Sequence, residues 1–256
     1  MLYKSVIIFL LAGFTALAGG NIYIGQKVWI GGTIPVGSSA STWPPSGYQN
    51  FWDANNYTTN AGVATLPDLV GGLDLTNPAA ASSPTIGPVQ GGYPSLSFAS
   101  RKLQNDAVSA SQIYEVDIGY AITNSGGTRY HWSGTNAASK VYHSVSGNAF
   151  VNENAGTALG GVFSSPVLTN HFYVIRYIFN GASSAIWINT SAAVTGVAGS
   201  GNLSGFLYGQ DTAGSYKSSS TLCFVGLKTS AAWTDNQWTN STGIFYQLTN
   251  RWSIAP

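Results

Sequence analysis

The hydrophobic pattern along the chain is clearest between His171 and Thr190. Two runs rich in β-branched and aromatic residues are separated by Asn180 to Ser183, where Asn and Gly favour the positive φ angles of a tight turn. Because side chains alternate along a strand, one face of the predicted hairpin is uniformly apolar and is expected to lie in the core. The residues of that face are Tyr173, Ile175, Tyr177, Phe179, Ile186 and Ile188. The opposite face is mixed, with Arg176 beside Trp187, and it is where we expect a ligand.

Similar short, alternating runs bounded by Gly, Asn or Ser recur through the chain and predict further strands. They cover residues 112–122, 128–132, 140–145, 149–151 and 205–209. One helix is predicted near the C-terminus. It begins at Thr234, which forms a capping-box pattern with Gln237, and Phe245, Leu248 and Trp252 follow at helical spacing. Many short strands and one late helix predict an all-β sandwich.

The N-terminal residues carry a different pattern. Residues 1–18 have Lys4 as their only charge and an apolar run from Val6 to Ala18. This predicts a secretory signal peptide that is cleaved after Ala18, or else a hydrophobic N-terminal segment that is retained. Residues 19–49 are interpreted as an extended arm and linker, and residues 50–256 as the β-sandwich domain. The arm packs along its own domain or crosses to a neighbouring copy, and the pattern leaves both open.

The amino-acid composition argues against some classes of function. Only 7% of the residues are charged, with 10 Lys and Arg against 9 Asp and Glu. Such a chain has no basic field to attract phosphates, so we predict no nucleic-acid partner. A neutral surface rich in hydroxyl and amide groups suits an extracellular or assembled protein. The single cysteine, Cys223, lies in an apolar run and is predicted to be a buried small hydrophobe.

Three features in a fixed order carry a resemblance to a known family. Trp52-Asp53-Ala54 opens the body, an Asp-containing turn with Gly precedes Leu73-Asp74-Leu75, and a Pro-bounded strand runs from Tyr93 to Phe98. Together with the hairpin and the C-terminal helix, this layout resembles the concanavalin A-like (laminin-G-like) jelly rolls of lectins and glucanases, as found in phage virion and bacterial surface proteins. The resemblance covers residues 50–253 and implies a jelly-roll β-sandwich.

The sharpest enzymatic pattern is Glu115-Val116-Asp117. Laminarinase-type glycosidases, which share the jelly-roll fold, carry Glu-x-Asp-x-x-Glu on a strand, and their two Glu residues serve as nucleophile and acid/base. Glu115 and Asp117 match the first two positions, but Tyr120 stands where the second Glu is required. We therefore predict no catalytic residues and no enzymatic activity. The two carboxylates are interpreted as paired with neighbouring groups, and a laminarinase-type hydrolase is the least favoured alternative.

No metal site is predicted. His131, His143 and His171 are scattered singly and no Cys pairs occur, which argues against zinc. Some laminin-G-like domains bind calcium, so Ca2+ is the one cofactor that the resemblance allows, with carboxylate and amide oxygens in turns as its ligands. The candidate ligands are Asp53, Asn55, Asn56, Asp68 and Asp74. The same side chains can instead accept hydrogen bonds from backbone amides within their turns.

Sugar binding requires flat aromatic faces flanked by hydrogen-bonding side chains. The chain has 8 Trp and 14 Tyr. The predicted glycan-binding residues are two pairs, Tyr130 with Trp132 and Arg176 with Trp187. The competing interpretation is structural: tryptophan is also a core residue, and Arg176 can stack on Trp187 by a cation–π contact.

These features predict a non-catalytic structural or adhesion subunit of a virion or extracellular surface assembly, built on a lectin-like jelly roll. The alternative is a carbohydrate-binding module that recognises surface glycans. The expected partners are copies of the chain itself, other surface or virion subunits, and glycans. A membrane is expected as a partner only through an uncleaved N-terminal segment, and the expected location is extracellular, on a cell surface or in a virion.

Overall fold

The computed structural model describes residues 43–123, 128–136, 139–144, 149–162, 168–210, 212–214, 217–229, 232–240 and 243–254. The predicted signal segment and the predicted arm up to residue 42 lie outside these residues. Ser41–Pro256 form one compact unit. Within the described residues of this unit, the strands form an eight-stranded and a nine-stranded sheet, both antiparallel.

The eight-stranded sheet contains the strand with the longest run of buried positions. Its order is β15, β14, β13, β8, β17, β6 and β5, with β1 also paired to β17. In that order the strands are Val194–Gly196, Ser184–Ile188, Phe172–Phe179, Tyr114–Ile122, Ser220–Thr229, Tyr93–Ser97 and Thr85–Gln90, and β1 is Asn50–Asp53. All nine residues of β8 are buried, because this strand is covered on both faces.

The nine-stranded sheet forms the second layer. Its order is β12, β11, β10, β9, β16, β7, β4, β3 and β2. In that order the strands are Thr157–Val162, Ala149–Asn154, Ser139–Ser144, Arg129–Ser133, Leu203–Tyr208, Leu103–Ala110, Leu75–Asn77, Val63–Leu66 and Thr58–Asn60. Strands β3 and β4 alternate between buried and more exposed residues, as expected for a sheet with one face on the core, whereas β9 and β16 are buried at most positions.

The predicted hairpin is confirmed. Strands β13 and β14 pair with Arg176 opposite Trp187 and Tyr177 opposite Ile186. A 3-10 turn at Gly181–Ser183 joins them, and Gly181 has a positive φ of 52°, whereas Asn180 does not. Tyr177 is fully buried, as the alternation predicted.

The core between the sheets is built on stacked aromatic rings. Phe206 lies between Trp52 and Trp132, with ring centroids 5.2 Å away on each side. Trp132 in turn meets Phe179 of the opposite sheet edge-on at 5.6 Å. Large aromatic side chains contribute much of the apolar area that a sandwich core buries. Cys223 is also fully buried, in agreement with its predicted role.

The predicted C-terminal helix is present in two segments, α1 (Asp235–Thr239) and α2 (Ile244–Trp252). The capping box is confirmed, since the Thr234 amide donates to Gln237 Oε1 and the Gln237 amide donates to Thr234 Oγ1. The segments meet at Gly243, where a Cβ atom would lie 2.6 Å from the Trp238 carbonyl oxygen. Further 3-10 turns occur at Ala54–Asn56 and Ala80–Ser82.

A third layer covers the outer face of the eight-stranded sheet. Tyr48 packs on Phe51 at 5.0 Å, and Trp252 of α2 meets Tyr93 of β6 at 5.6 Å. The approach of Tyr48 depends on Gly226, because a Cβ atom there would lie 2.5 Å from the Tyr48 ring. The central strands β8 and β17 are therefore buried on both faces, by the nine-stranded sheet on one side and by residues 43–49 and the helices on the other.

Candidate functional site

A buried charge network occupies the covered face of the eight-stranded sheet. Arg176 Nε donates to Glu115 Oε1 at 3.0 Å and Arg176 Nη2 donates to Glu115 Oε2 at 3.1 Å. Arg176 Nη2 also donates to the Trp233 carbonyl, whose own amide donates back to Glu115 Oε2 at 3.0 Å. The guanidinium lies 5.5 Å from the Trp187 ring and 5.1 Å from the Trp238 ring. Both charged side chains have no exposed surface, so this network holds the third layer in place.

Asp117 completes the network. It stands opposite Arg176 in the β8–β13 pairing, and the Tyr48 hydroxyl donates to its Oδ2 at 2.7 Å. Burial, and then the nearby Glu115 carboxylate, raise the pKa of Asp117 well above its ordinary value. Burial also raises the pKa of Glu115, although Arg176 acts against it.

These contacts confirm that the two carboxylates are paired with neighbours, and they correct the expectation that this mixed face is open to a ligand. The pair of catalytic carboxylates of laminarinase-type enzymes is not assembled either. Tyr120, which stands where the second Glu is required, points to the opposite side of β8, where its hydroxyl lies 3.2 Å from that of Tyr177.

The outer face of the nine-stranded sheet carries partly exposed polar side chains instead. The strand pairings place one residue from each strand in a single row across the sheet. The row runs Thr58, Thr65, Thr76, Gln104, Leu207, Ser133, Lys140, Glu153 and Ala158. Neighbouring strands lie about 4.8 Å apart, so the row is about 38 Å long. We call it the polar row.

A tyrosine pair lies beside the polar row on the same face. Tyr130 and Tyr142 stand opposite each other, with ring centroids 4.9 Å apart and planes tilted by 35°. Lys140 Nζ lies 5.6 Å from the Tyr130 ring centroid and forms a 2.9 Å ion pair with Glu153 Oε1. We call Tyr130, Tyr142, Lys140 and Glu153 the tyrosine patch. Its side chains are nearly buried or half-buried, so they are held in place yet can be reached at the surface.

The charge states of the patch follow from its contacts. Burial, followed by the Glu153 charge, raises the pKa of the Tyr142 hydroxyl to about 12, so the hydroxyl keeps its proton at neutral pH. Burial lowers the pKa of Lys140, but the hydrogen bond and charge of Glu153 outweigh it and leave that pKa raised. The patch therefore offers a hydroxyl, an ammonium and a carboxylate beside two aromatic rings.

The structure separates the predicted glycan-binding pairs. Tyr130 and Trp132 are on the nine-stranded sheet, whereas Arg176 and Trp187 are on the eight-stranded sheet. Trp132 is fully buried in the core, so its ring cannot be reached by a ligand, and Arg176 is fully buried in the charge network. Trp187 keeps some exposure beside Arg176. Sequence reasoning missed Tyr142, although Lys140 and Tyr142 alternate within a predicted strand and therefore share a face.

Three of the candidate calcium ligands, Asp53, Asp68 and Asp74, accept hydrogen bonds within the protein. Asp53 accepts from the Asn55 amide at 2.9 Å and from Arg251 Nε at 3.1 Å. Asp68 Oδ1 accepts from three backbone amides, those of residues 51, 70 and 71, at 2.9 to 3.1 Å. Among the residues that the structure describes, no group of three His, Cys, Asp or Glu side chains could hold a metal ion. Calcium binding stays an untested expectation.

Comparison with solved structures shows which known folds the chain is similar to. The chain is similar to the Trypanosoma rangeli sialidase in complex with 2,3-difluoro-KDN, with a TM-score of 0.53, 14% identity, and coverage of 95% of this chain and 38% of the sialidase. A pentraxin from Limulus polyphemus matches with a TM-score of 0.44, 15% identity, and coverage of 56% of this chain and 77% of the pentraxin. A galectin from Caenorhabditis elegans matches with a TM-score of 0.34, 12% identity, and coverage of 49% and 89%.

No protein-family model matches the chain, and no curated protein sequence matches it. The two-sheet topology and the sialidase likeness support the fold that the sequence implied. The chain has a concanavalin A-like, lectin-like jelly-roll β-sandwich. Among the described residues, no helix has the length and hydrophobicity that a membrane span needs.

The comparison corrects one prediction. The sequence predicted that the chain is not an enzyme. That prediction is wrong, because the solved structures with a similar fold include sialidases, which are enzymes. The likeness at this identity concerns the fold, and the chain spans 38% of the sialidase's length. The same fold also supports proteins of other classes, so function has to be argued from the surface of this chain.

Proposed function

We propose that this protein binds carbohydrate through the outer face of its nine-stranded sheet, with the tyrosine patch as the principal contact. The observation that carries the proposal is the Tyr130–Tyr142 pair beside the Lys140–Glu153 ion pair. A sugar ring has an apolar face of C–H groups and an edge of hydroxyl groups, so it needs an aromatic surface next to fixed donors and acceptors. The patch supplies both on adjacent strands.

The electrostatics support a hydroxyl-rich ligand. Lys140 donates and Glu153 accepts, and their ion pair leaves the patch without net charge. The protonated Tyr142 hydroxyl can donate to or accept from a sugar hydroxyl. The sialidase with the similar fold forms a complex with 2,3-difluoro-KDN, a sugar acid, which makes sugars a reasonable class of ligand to test first.

A glycan array with Tyr142→Ala and a matched control tests the proposal. Tyr246→Ala is the control because Tyr246 is also half-buried but lies on α2, away from the nine-stranded sheet. We expect the native protein and Tyr246→Ala to bind the same glycans, and Tyr142→Ala to lose about 1 to 3 kcal/mol of binding free energy, as for burial of an aromatic contact. Equal binding by all three proteins would refute the patch as the site.

We also propose that copies of the chain associate on an extracellular or virion surface. The supporting observation is edge strand β5, where Ile86 and Val89 are 59% and 67% exposed. Exposed apolar side chains on a sheet edge favour pairing with another copy, although Pro88 between them limits the length of any added strand. Light scattering of the native protein and of Val89→Lys tests this: association that is unchanged by the substitution would exclude the β5 edge as the interface.

A further inference from the structure

A surface cavity opens in the nine-stranded sheet away from the tyrosine patch. In the described residues, β4 and β7 are joined at one register pair, Thr76 opposite Gln104, so the pairing does not continue along either strand. The resulting cavity has a volume of about 450 Å3, and Thr76, Gln104, Lys102 and Asp106 are among its lining residues. Its lining is mostly polar, which suits a hydroxyl-rich ligand.

The rim of the cavity is fixed by hydrogen bonds. Inside it, Lys102 Nζ donates to Gln104 Oε1 at 3.0 Å, so Gln104 would meet a ligand through its Nε2 donor. Asn77 Nδ2 donates to the carbonyl groups of Ser82 and Lys102, both at 3.0 Å, and its Oδ1 accepts from the Ala79 amide at 2.8 Å. On the other side, Asn105 Nδ2 donates to the Asp74 carbonyl at 2.8 Å. A rim of this kind is pre-organised, so a ligand would not have to order it on binding.

A bulge in β7 lies on the side of the cavity that this strand forms. Asn105 pairs with Phe206 and Ser109 pairs with Ser204, which leaves residues 106–108 opposite the single residue Gly205. Bulges commonly redirect side chains beside functional sites. Here the bulge begins at Asp106, whose exposed carboxylate lines the cavity opposite the polar side chains of β4.

The cavity and the tyrosine patch share the polar row. Along that row Gln104 is followed by Leu207, Ser133 and Lys140, each on the next strand. Three strand spacings separate Gln104 from Lys140, a distance of about 14 Å. Leu207 and Ser133 are only 3% and 1% exposed, so other side chains cover them and a ligand that joins the two regions passes over about 14 Å of covered sheet. A ligand lying across the strands can therefore contact both regions at once.

We infer that the ligand is a neutral, linear oligosaccharide that lies across the strands, with one part on the tyrosine patch and another in the β4–β7 cavity. This inference rests on the proposed carbohydrate-binding function. Neutrality follows from the balance of charges: Lys140 pairs with Glu153 in the patch, and the lining of the cavity contains one cation, Lys102, and one anion, Asp106. Surfaces without net charge give little electrostatic attraction for acidic chains, and binding should change little with salt.

Calorimetric titration with oligosaccharides of graded length tests the inference. The probes are chitin, mannan and β-glucan series from disaccharide to octasaccharide, with polysialic acid as the acidic comparison. The variant is Gln104→Ala, and Gln90→Ala is the matched control because Gln90 is a half-exposed glutamine on β5 of the other sheet.

For the series that binds, we expect affinity to rise with length and then to level off. Gln104→Ala should weaken the longest probe by about threefold to tenfold, the range for one hydrogen bond, and leave the disaccharide unchanged. Gln90→Ala should change neither. Circular dichroism of both variants checks that they are folded.

Three results would overturn the inference. Equal affinity for short and long probes, or an octasaccharide that Gln104→Ala does not weaken, would exclude the cavity while leaving carbohydrate binding at the patch intact. Tighter binding of polysialic acid with a steep salt dependence would exclude the neutral class. Absence of binding by every probe would count against the proposed function itself.

Discussion

Replacing Arg176 tests the structural account of the charge network. Arg176→Met keeps much of the apolar stem between Trp187 and Trp238 but removes the charge that pairs with the fully buried carboxylate of Glu115. Removing one partner of a buried ion pair destabilises a protein by about 3 to 5 kcal/mol, because the remaining charge stays buried without compensation. That loss is a large fraction of the roughly 5 to 15 kcal/mol by which single domains are typically stable.

Urea denaturation measures this loss, and the partly exposed ion pair between Lys140 and Glu153 provides the control. Glu153→Gln breaks the bond to Lys140, whose side chain is 23% exposed against 15% for Glu153. Pairs of this kind contribute about 0 to 1 kcal/mol, so the control should differ from the native protein far less than Arg176→Met does. A loss below about 1 kcal/mol for Arg176→Met would refute the claim that the network stabilises the third layer.

Three further predictions concern the core and its titratable groups. Ile175→Ala should lower the free energy of unfolding by about 2 to 5 kcal/mol because it empties a fully buried site, and a loss under about 0.5 kcal/mol would mean that the hairpin faces are misassigned. Asp117 has a raised pKa, so its stabilising contribution is complete below its unfolded value of about 3.9 and is lost as the pH rises through the folded pKa. The melting temperature should therefore rise on mild acidification by more in the native protein than in Asp117→Asn, and parallel pH profiles would contradict this. Burial raises the pKa of Cys223, so a thiol reagent should label it in the unfolded chain but not in the folded one, and rapid labelling of the folded protein would place it at the surface.

Local patterns were sufficient to predict the sandwich and its central hairpin. Alternation assigns Ile175 and Tyr177 to one face whatever lies elsewhere in the chain, and the capping pair Thr234 and Gln237 is separated by only three residues. Such features depend on neighbours in sequence, so a single sequence contains them. The break at Gly243 was not predicted, because it depends on how closely the helix segments approach each other.

The candidate site could not be predicted because it depends on strand register and on distant segments. Tyr142 faces Tyr130 because the β9–β10 pairing shifts by one residue next to Val141, and no local pattern reports that shift. Arg176 is buried because Tyr48 and Trp233, from far along the chain in both directions, cover the face that alternation left mixed. Residue types suggested an aromatic binding surface, but only the register identified which aromatic residues form it.

The central claim is that carbohydrate binds on the outer face of the nine-stranded sheet. Two-dimensional NMR of the isotope-labelled protein, titrated with the glycan that binds best on the array, locates the contact directly. The account predicts amide shift changes at Tyr130, Tyr142 and Glu153, with the amides around Trp187 and Trp233 unchanged. Changes centred on Trp187 and Trp233 would contradict it, since they would place the ligand on the eight-stranded sheet and its covering layer.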